Sequence, residues 1–111
     1  MLNQIVLVGR LTKKTEIIKE NEKEKAVITL AIPRSYKNSE GIYETDFVDC
    51  ILWNSIANTT VEYCKKGDLV GIKGRVQTKP IEINGQTKHI MEIVAEKVTF
   101  LSSRKEESEE V

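Results

Sequence analysis

Arg34-Ser35-Tyr36-Lys37 sets one aromatic ring between two cations, and Thr45-Asp46-Phe47-Val48-Asp49-Cys50-Ile51-Leu52-Trp53 carries two more rings. A further run supplies Lys73, Arg75 and Lys79, with Arg75 and Lys79 four positions apart and so able to share a strand face. Flat rings stack on unpaired bases while ammonium and guanidinium groups follow phosphates, which is how a single strand is held without its sequence being read. Each stacked base contributes about 1–3 kcal/mol, so three rings are enough for useful affinity on a repeating lattice.

Other chemistries find less support. Cys50 or Cys64 with His89 is the best catalytic candidate, yet a lone histidine beside a hairpin turn has no orienting carboxylate at a diagnostic spacing. One histidine and two thiols fourteen positions apart do not build a zinc cage, so neither a metal nor a cofactor is expected. Both thiols are expected to be reduced and buried. Lys65 and Lys66 suit either the end of a helix or a phosphate contact, and Tyr43 and Tyr63 suit packing or an interface.

The elements that must position these groups are mostly strands. Asn3 to Leu11 is a short β-branched run interrupted by Gly9, as in a buried strand with a bulge or bend, and Thr15 to Lys19 continues it. Glu20 to Glu24 reads as a solvated turn. Ala26 to Ile32 is a second strand that Pro33 ends, followed by a polar loop from Arg34 to Gly41. Thr45 to Trp53 is a third. Its alternation puts Val48, Cys50 and Leu52 on a core face and Phe47, Asp49, Ile51 and Trp53 on the outer or cleft face, where large rings call for a reason.

Asn54 is the expected N-cap of a short helix through Cys64, which Lys65-Lys66-Gly67 closes with favourable charge and a glycine stop. Leu69 to Thr78 is a fourth strand with bends at Gly71 and Gly74. Asn84-Gly85 marks a hairpin that sets Lys79–Ile83 against Thr87–Met91, from which a last strand runs to Leu101. Three strands, a helix and two strands predict an all-β fold with one short helix, the five-stranded Greek-key OB barrel. The expected division is a domain over residues 1–102 and a short disordered acidic tail over 103–111.

With 111 residues, 40% of them apolar and 31% charged, there is room for one ordinary globular domain. No apolar run approaches the roughly 18 residues that span a bilayer, and Met1 to Ile5 does not lead into a signal segment, so a cytoplasmic protein is expected. Net charge is zero, which by itself argues against binding a polyanion. The charges are uneven, however. One base and four acids fall in the last seven residues, leaving sixteen bases against thirteen acids before them.

Five segments, Asn3 to Thr12, Leu30 to Tyr36, Asp46 to Trp53, Tyr63 to Val70 and Gly74 to Thr78, together resemble the bacterial single-stranded DNA-binding protein family over about residues 1 to 101. The resemblance implies an OB fold, a homotetramer and sequence-independent binding and protection of single-stranded DNA in replication, recombination, repair or DNA uptake and transfer. It implies no enzyme activity. It makes Tyr36, Phe47 and Trp53 the stacking sites and places Lys37, Lys66 and Lys79 where the family tends to have bases. With Arg10 from the first segment and Arg34, Lys73 and Arg75, these complete the expected DNA-binding set. A fourth ring common in the family is here Ile81, after Pro80, which implies weaker binding. The ending Glu109-Glu110-Val111 resembles short auxiliary members, implying weak or absent recruitment of replication and repair enzymes through the C-terminus. Net neutrality also suits an OB adaptor acting through protein contacts, and stacking by itself does not reject RNA.

Overall fold

In the computed structural model, which describes residues 1–103, the chain forms β1 (Ile5–Leu11), β2 (Ile18–Glu20), β3 (Lys23–Lys37), β4 (Tyr43–Trp53), α1 (Asn54–Tyr63), β5 (Leu69–Ile83) and β6 (Gln86–Ser102). From residue 104 on, the expected acidic tail lies outside the described residues.

Five of the strands close into a ring. β1 runs antiparallel to β5 from Ile5 opposite Gly74 to Arg10 opposite Leu69. β5 pairs along its whole length with β6. β6 meets β4 in parallel at Ile93–Cys50 and Val94–Ile51, β4 pairs antiparallel with β3, and β3 returns to β1 at Ala31–Arg10 and Leu30–Leu11. With the helix between the third and fourth strands of the ring, this is the expected OB barrel. Leu11, Ala26, Ile28, Leu30, Cys50, Leu52, Val70, Ile72, Ile93 and Ala95 fill it, and Ala57 of α1 adds to the same core.

Several expectations need correction. Thr15 to Lys19 does not continue β1; Thr15 is buried, and β2 turns back onto β3 as a sixth, outer strand. Asn21 and Glu22, at φ 51° and 65°, make the two-residue hairpin turn. Pro33 does not end β3, which runs on to Lys37 with Pro33 opposite Thr45. β1 leaves β3 after Ala31, so beyond that point β3 has β4 alone as a neighbour, and a proline lacking N–H is tolerated on such an edge. The arm so formed shifts register between Pro33 and Lys37.

The helix ends also differ. Asn54 has a left-handed φ of 54°, and its Oδ1 accepts from the Glu24 N–H (3.3 Å) rather than capping α1. Cys64 is extended, and no base lies in the last helical turn. Lys65 and Lys66 belong instead to the turn into β5, where the Lys65 N–H donates to Asp68 Oδ2 (2.8 Å). That turn is latched to the end of β1: the Gly67 N–H donates to Leu11 O (2.8 Å) and the Leu11 N–H to Asp68 O (2.9 Å).

Two of the glycines thought to mark bends behave differently. A Cβ on Gly74 would collide with the Val94 carbonyl, where β6 crosses at a register shift, whereas one on Gly71 would meet nothing nearer than 3.7 Å. Gly74→Ala is therefore expected to destabilise by about 1–3 kcal/mol, and Gly71→Ala far less, in urea unfolding of the two variants.

Candidate nucleic-acid interface

Strand alternation and cross-strand register together build a strip along the outside of the barrel. On β4, Tyr43, Thr45, Phe47, Asp49, Ile51 and Trp53 share the outward parity, while Cys50 and Leu52 are buried and Val48 half-buried. Phe47 is 67% exposed. It stands six residues from Trp53, about 20 Å along a strand. Ile51, expected to be open on this face, is instead buried. Its row runs from Val27 through Ile51 and Val94 to Arg75, so apolar neighbours flank it on both sides.

Other rows carry in cations that are remote in sequence. Arg10 pairs with Ala31, and Ala31 with Phe47, which puts Arg10 in the row of the Phe47 ring. Arg10 Nη1 donates to Gly67 O (2.9 Å) and so draws the Lys66-Gly67 turn towards that row. Arg75 reaches the strip through Val94, donating Nη1 to Glu96 (3.1 Å) and Nη2 to Gln77 (3.3 Å). Lys25, opposite Trp53, holds its ammonium 5.5 Å from the centre of the indole and 3.5 Å from Glu20.

The arm of β3 and β4 carries two more aromatic groups, Tyr36 and Tyr43. Tyr36 is 62% exposed there, and the Lys37 ammonium lies 5.7 Å from the centre of the Tyr43 ring. Arg34 is already engaged. Its Nε and Nη2 bind Asp46 as a fork (3.1 and 2.9 Å), and Nη1 binds Glu44 (2.8 Å). The hydrogen bond to Asp46 raises the Arg34 pKa further, and the same bond holds the Asp46 carboxyl below its ordinary value of 3.8.

The ten expected residues thus divide. Arg10, Phe47, Trp53 and Arg75 share the strip, with Lys66 brought near it and Tyr36 and Lys37 on the adjoining arm. Lys79 lies further along β5, opposite Ile90 on the hairpin. Lys73 stands apart, in a row between Val6 of β1 and Lys97 of β6. Arg34 serves the arm rather than standing free. Lys25 and Tyr43 were missed as members. The alternation Lys25, Val27, Thr29 was visible in the sequence, but the pairing of Lys25 with Trp53 was not.

Among the described residues, no cluster of metal-ligating side chains forms, and the thiols and the histidine lie off the strip. Burial pushes the Cys50 thiol up to about 11 and raises that of Cys64, leaving both poor nucleophiles, and His89 lies exposed on the hairpin. A groove of about 310 Å³ between α1 and β6, lined by Ile56, Tyr63, Cys64, Val98 and Phe100 among others, contains none of the ten residues.

The depressed Asp46 pKa makes the arm sensitive to acid. A carboxylate held below its unfolded pKa contributes stability above that value and loses it as pH falls through the folded pKa. Asp46→Asn is expected to loosen the arm at neutral pH and to remove the small part of the acid-induced loss of stability that this carboxylate contributes as pH falls below its ordinary value of 3.8, read by thermal unfolding of both chains at neutral and acid pH.

The model of the single-strand binding protein family matches residues 2–101. Single-stranded DNA-binding protein B of Bacillus subtilis is 42% identical over 110 residues, covering 96% of each chain. Single-stranded DNA-binding protein 3 of Listeria innocua is 44% identical over 106 residues, which are 94% of this chain and 66% of that one. Among solved structures, a Plasmodium falciparum SSB complex with ssDNA matches with a TM-score of 0.78 at 25% identity, over 92% of this chain and 96% of the other. A Thermus aquaticus single-stranded DNA binding protein matches at 0.76 and 23% identity, over 93% of this chain and 52% of that one, which bears on the fold alone. A family model spanning nearly all described residues, together with relatives above 40% identity across them, establishes that this chain belongs to the single-strand binding protein family.

Proposed function

We propose that this protein binds and protects single-stranded DNA without sequence preference, stacking bases on Tyr36, Phe47 and Trp53 and tracking phosphates with Arg10, Lys37, Lys66, Arg75 and Lys79. The observation that carries the proposal is the strip itself: Phe47 exposed and Trp53 half-buried on one outward strand face, with Arg10 brought into the row of Phe47 by barrel closure and Lys25 into the row of Trp53 by β3–β4 pairing. Family membership supports it and speaks against catalysis, since members of this family bind DNA and are not enzymes. Lys25 joins the phosphate-tracking set in this proposal. Lys73 and Arg34 take lesser parts, the first for its distance from the rings and the second because its fork is occupied. Replication, recombination, repair and DNA uptake are the settings in which such a coat serves, and nucleoid association would follow from it.

The proposal includes self-assembly into a homotetramer. β1 pairs with β5 along Ile5–Arg10 but with β3 only at Arg10 and Leu11, so one edge of Ile5–Val8 is open among the described residues, beside exposed Val6 and Val8. An apolar open edge is a template for another chain, and a second copy pairing there would cover it. No helix among the described residues is long and apolar enough to cross a membrane. Recruitment of replication and repair enzymes through residues 105–111 is proposed to be weak, because that acidic stretch has one apolar side chain to bury.

Trp53 is the only tryptophan, so its fluorescence reports the strip directly. Oligo-dT is expected to quench it strongly, duplex DNA of equal length is not, and affinity should fall as salt rises. Phe47→Ala and Tyr36→Ala should each weaken binding by about 1–3 kcal/mol. Unchanged fluorescence together with no complex in a gel shift would move the assignment to an adaptor acting through protein contacts.

A further inference from the structure

Asp49 is an acid in the middle of a surface that has to accept a polyanion. It is exposed on the outward parity of β4, two residues from Phe47 and four from Trp53, so about 7 Å and 13 Å along the strand from the two rings. A strand of DNA that stacks on both must pass over it. The side chain is held in place: Thr29, its partner across β3, donates Oγ1–H to Asp49 Oδ1 at 2.6 Å. Among the described residues Oδ2 has no hydrogen-bond partner, and Asp49 makes no ion pair.

A fixed carboxylate weakens phosphate binding wherever a phosphate comes near, so its position under the path matters for what else it meets. An ionised carboxylate accepts hydrogen bonds and cannot donate them. Cytosine N4 and adenine N6 each carry an amino group that donates, whereas thymine presents the O4 acceptor at the corresponding place. Oδ2 is therefore complementary to amino-bearing bases and repels the keto oxygen of thymine. We infer that Asp49 adds a compositional preference to an otherwise indifferent strip, favouring cytosine and adenine over thymine at the position between the Phe47 and Trp53 platforms. The inference rests on the single-stranded DNA reading and deepens it.

Stacking strength and backbone flexibility also differ between homopolymers, so a simple ranking of oligomers would not isolate the carboxylate. The ratio of affinities, compared between the unmodified chain and Asp49→Asn, does. The amide keeps an acceptor for Thr29 and leaves an N–H₂ that thymine O4 can use. With oligo-dC and oligo-dT of one length at fixed salt and neutral pH, followed by Trp53 fluorescence, the dC-to-dT affinity ratio is expected to fall about tenfold in Asp49→Asn. If both affinities instead rise together and the ratio holds, Asp49 acts only as a charge that repels phosphate, and the inference is overturned while DNA binding stands. If the unmodified chain binds neither oligomer, both readings fall.

Discussion

Everything on the outer strip depends on how β1 closes the barrel. At Gly9 a side chain would meet the Ala31 carbonyl oxygen and Ile32 Cγ1, each 2.8 Å from where its Cβ would stand. The missing side chain lets β1 approach β3 there while still paired with β5, opposite Val70. One residue later Arg10 is paired on both sides, with Leu69 and with Ala31. That double pairing completes the ring. It also fixes the row in which Arg10, Ala31 and Phe47 line up, although they come from three separate stretches of chain.

The same closure limits where charge can go. Inward positions of the five ring strands are taken by an apolar core, and the latch between Leu11 and the Gly67-Asp68 turn secures the end of β1 against the start of β5. Apart from the buried Asp68 of that latch, charged groups are thereby sorted to the outside, some paired and some not. Arg34 is committed to two carboxylates through all three guanidinium nitrogens, in a fork that ties together an arm whose register slips after Pro33, whereas Arg75 makes a single exposed pair, with Glu96, that a phosphate can replace. Exposed pairs of this sort contribute little to stability but orient the strands that bear them. Lys66, Lys73 and Lys79 have no ion-pair partner among the described residues. A net charge of zero is thus compatible with polyanion binding, because four of the seventeen acids fall in the last seven residues, three more pair with Arg34 and Arg75, and Lys66, Lys73 and Lys79 remain unpaired.

Some of this was legible from the chain alone. Period-two alternation in Thr45 to Trp53 separated Cys50 and Leu52 from Phe47, Asp49 and Trp53 correctly, because the pleat assigns a face without reference to any neighbour. Asn84-Gly85 fixed the β5–β6 hairpin, with Asn84 and Gly85 at φ 52° and 79°, because a two-residue turn is a local event. The element order was enough to indicate the barrel. Local signals misled where a neighbour was absent or unforeseen: Pro33 looked like a strand end and is an edge residue, and Asn54 looked like a cap and instead accepts from Glu24.

The amino-acid sequence by itself determined which residue types were present to stack and to neutralise, and which side of each strand they took. Only the tertiary structure decided which of them meet. It set Lys25 opposite Trp53, Arg10 in the row of Phe47 and Arg75 in the row of Ile51, and it left Lys73 between Val6 and Lys97. The physical reason is that a strand's own alternation specifies a face but not a partner. Partners follow from register, and register here was set by barrel closure at Gly9, by the slip after Pro33 and by the shift at Gly74, each a contact between segments far apart in the chain.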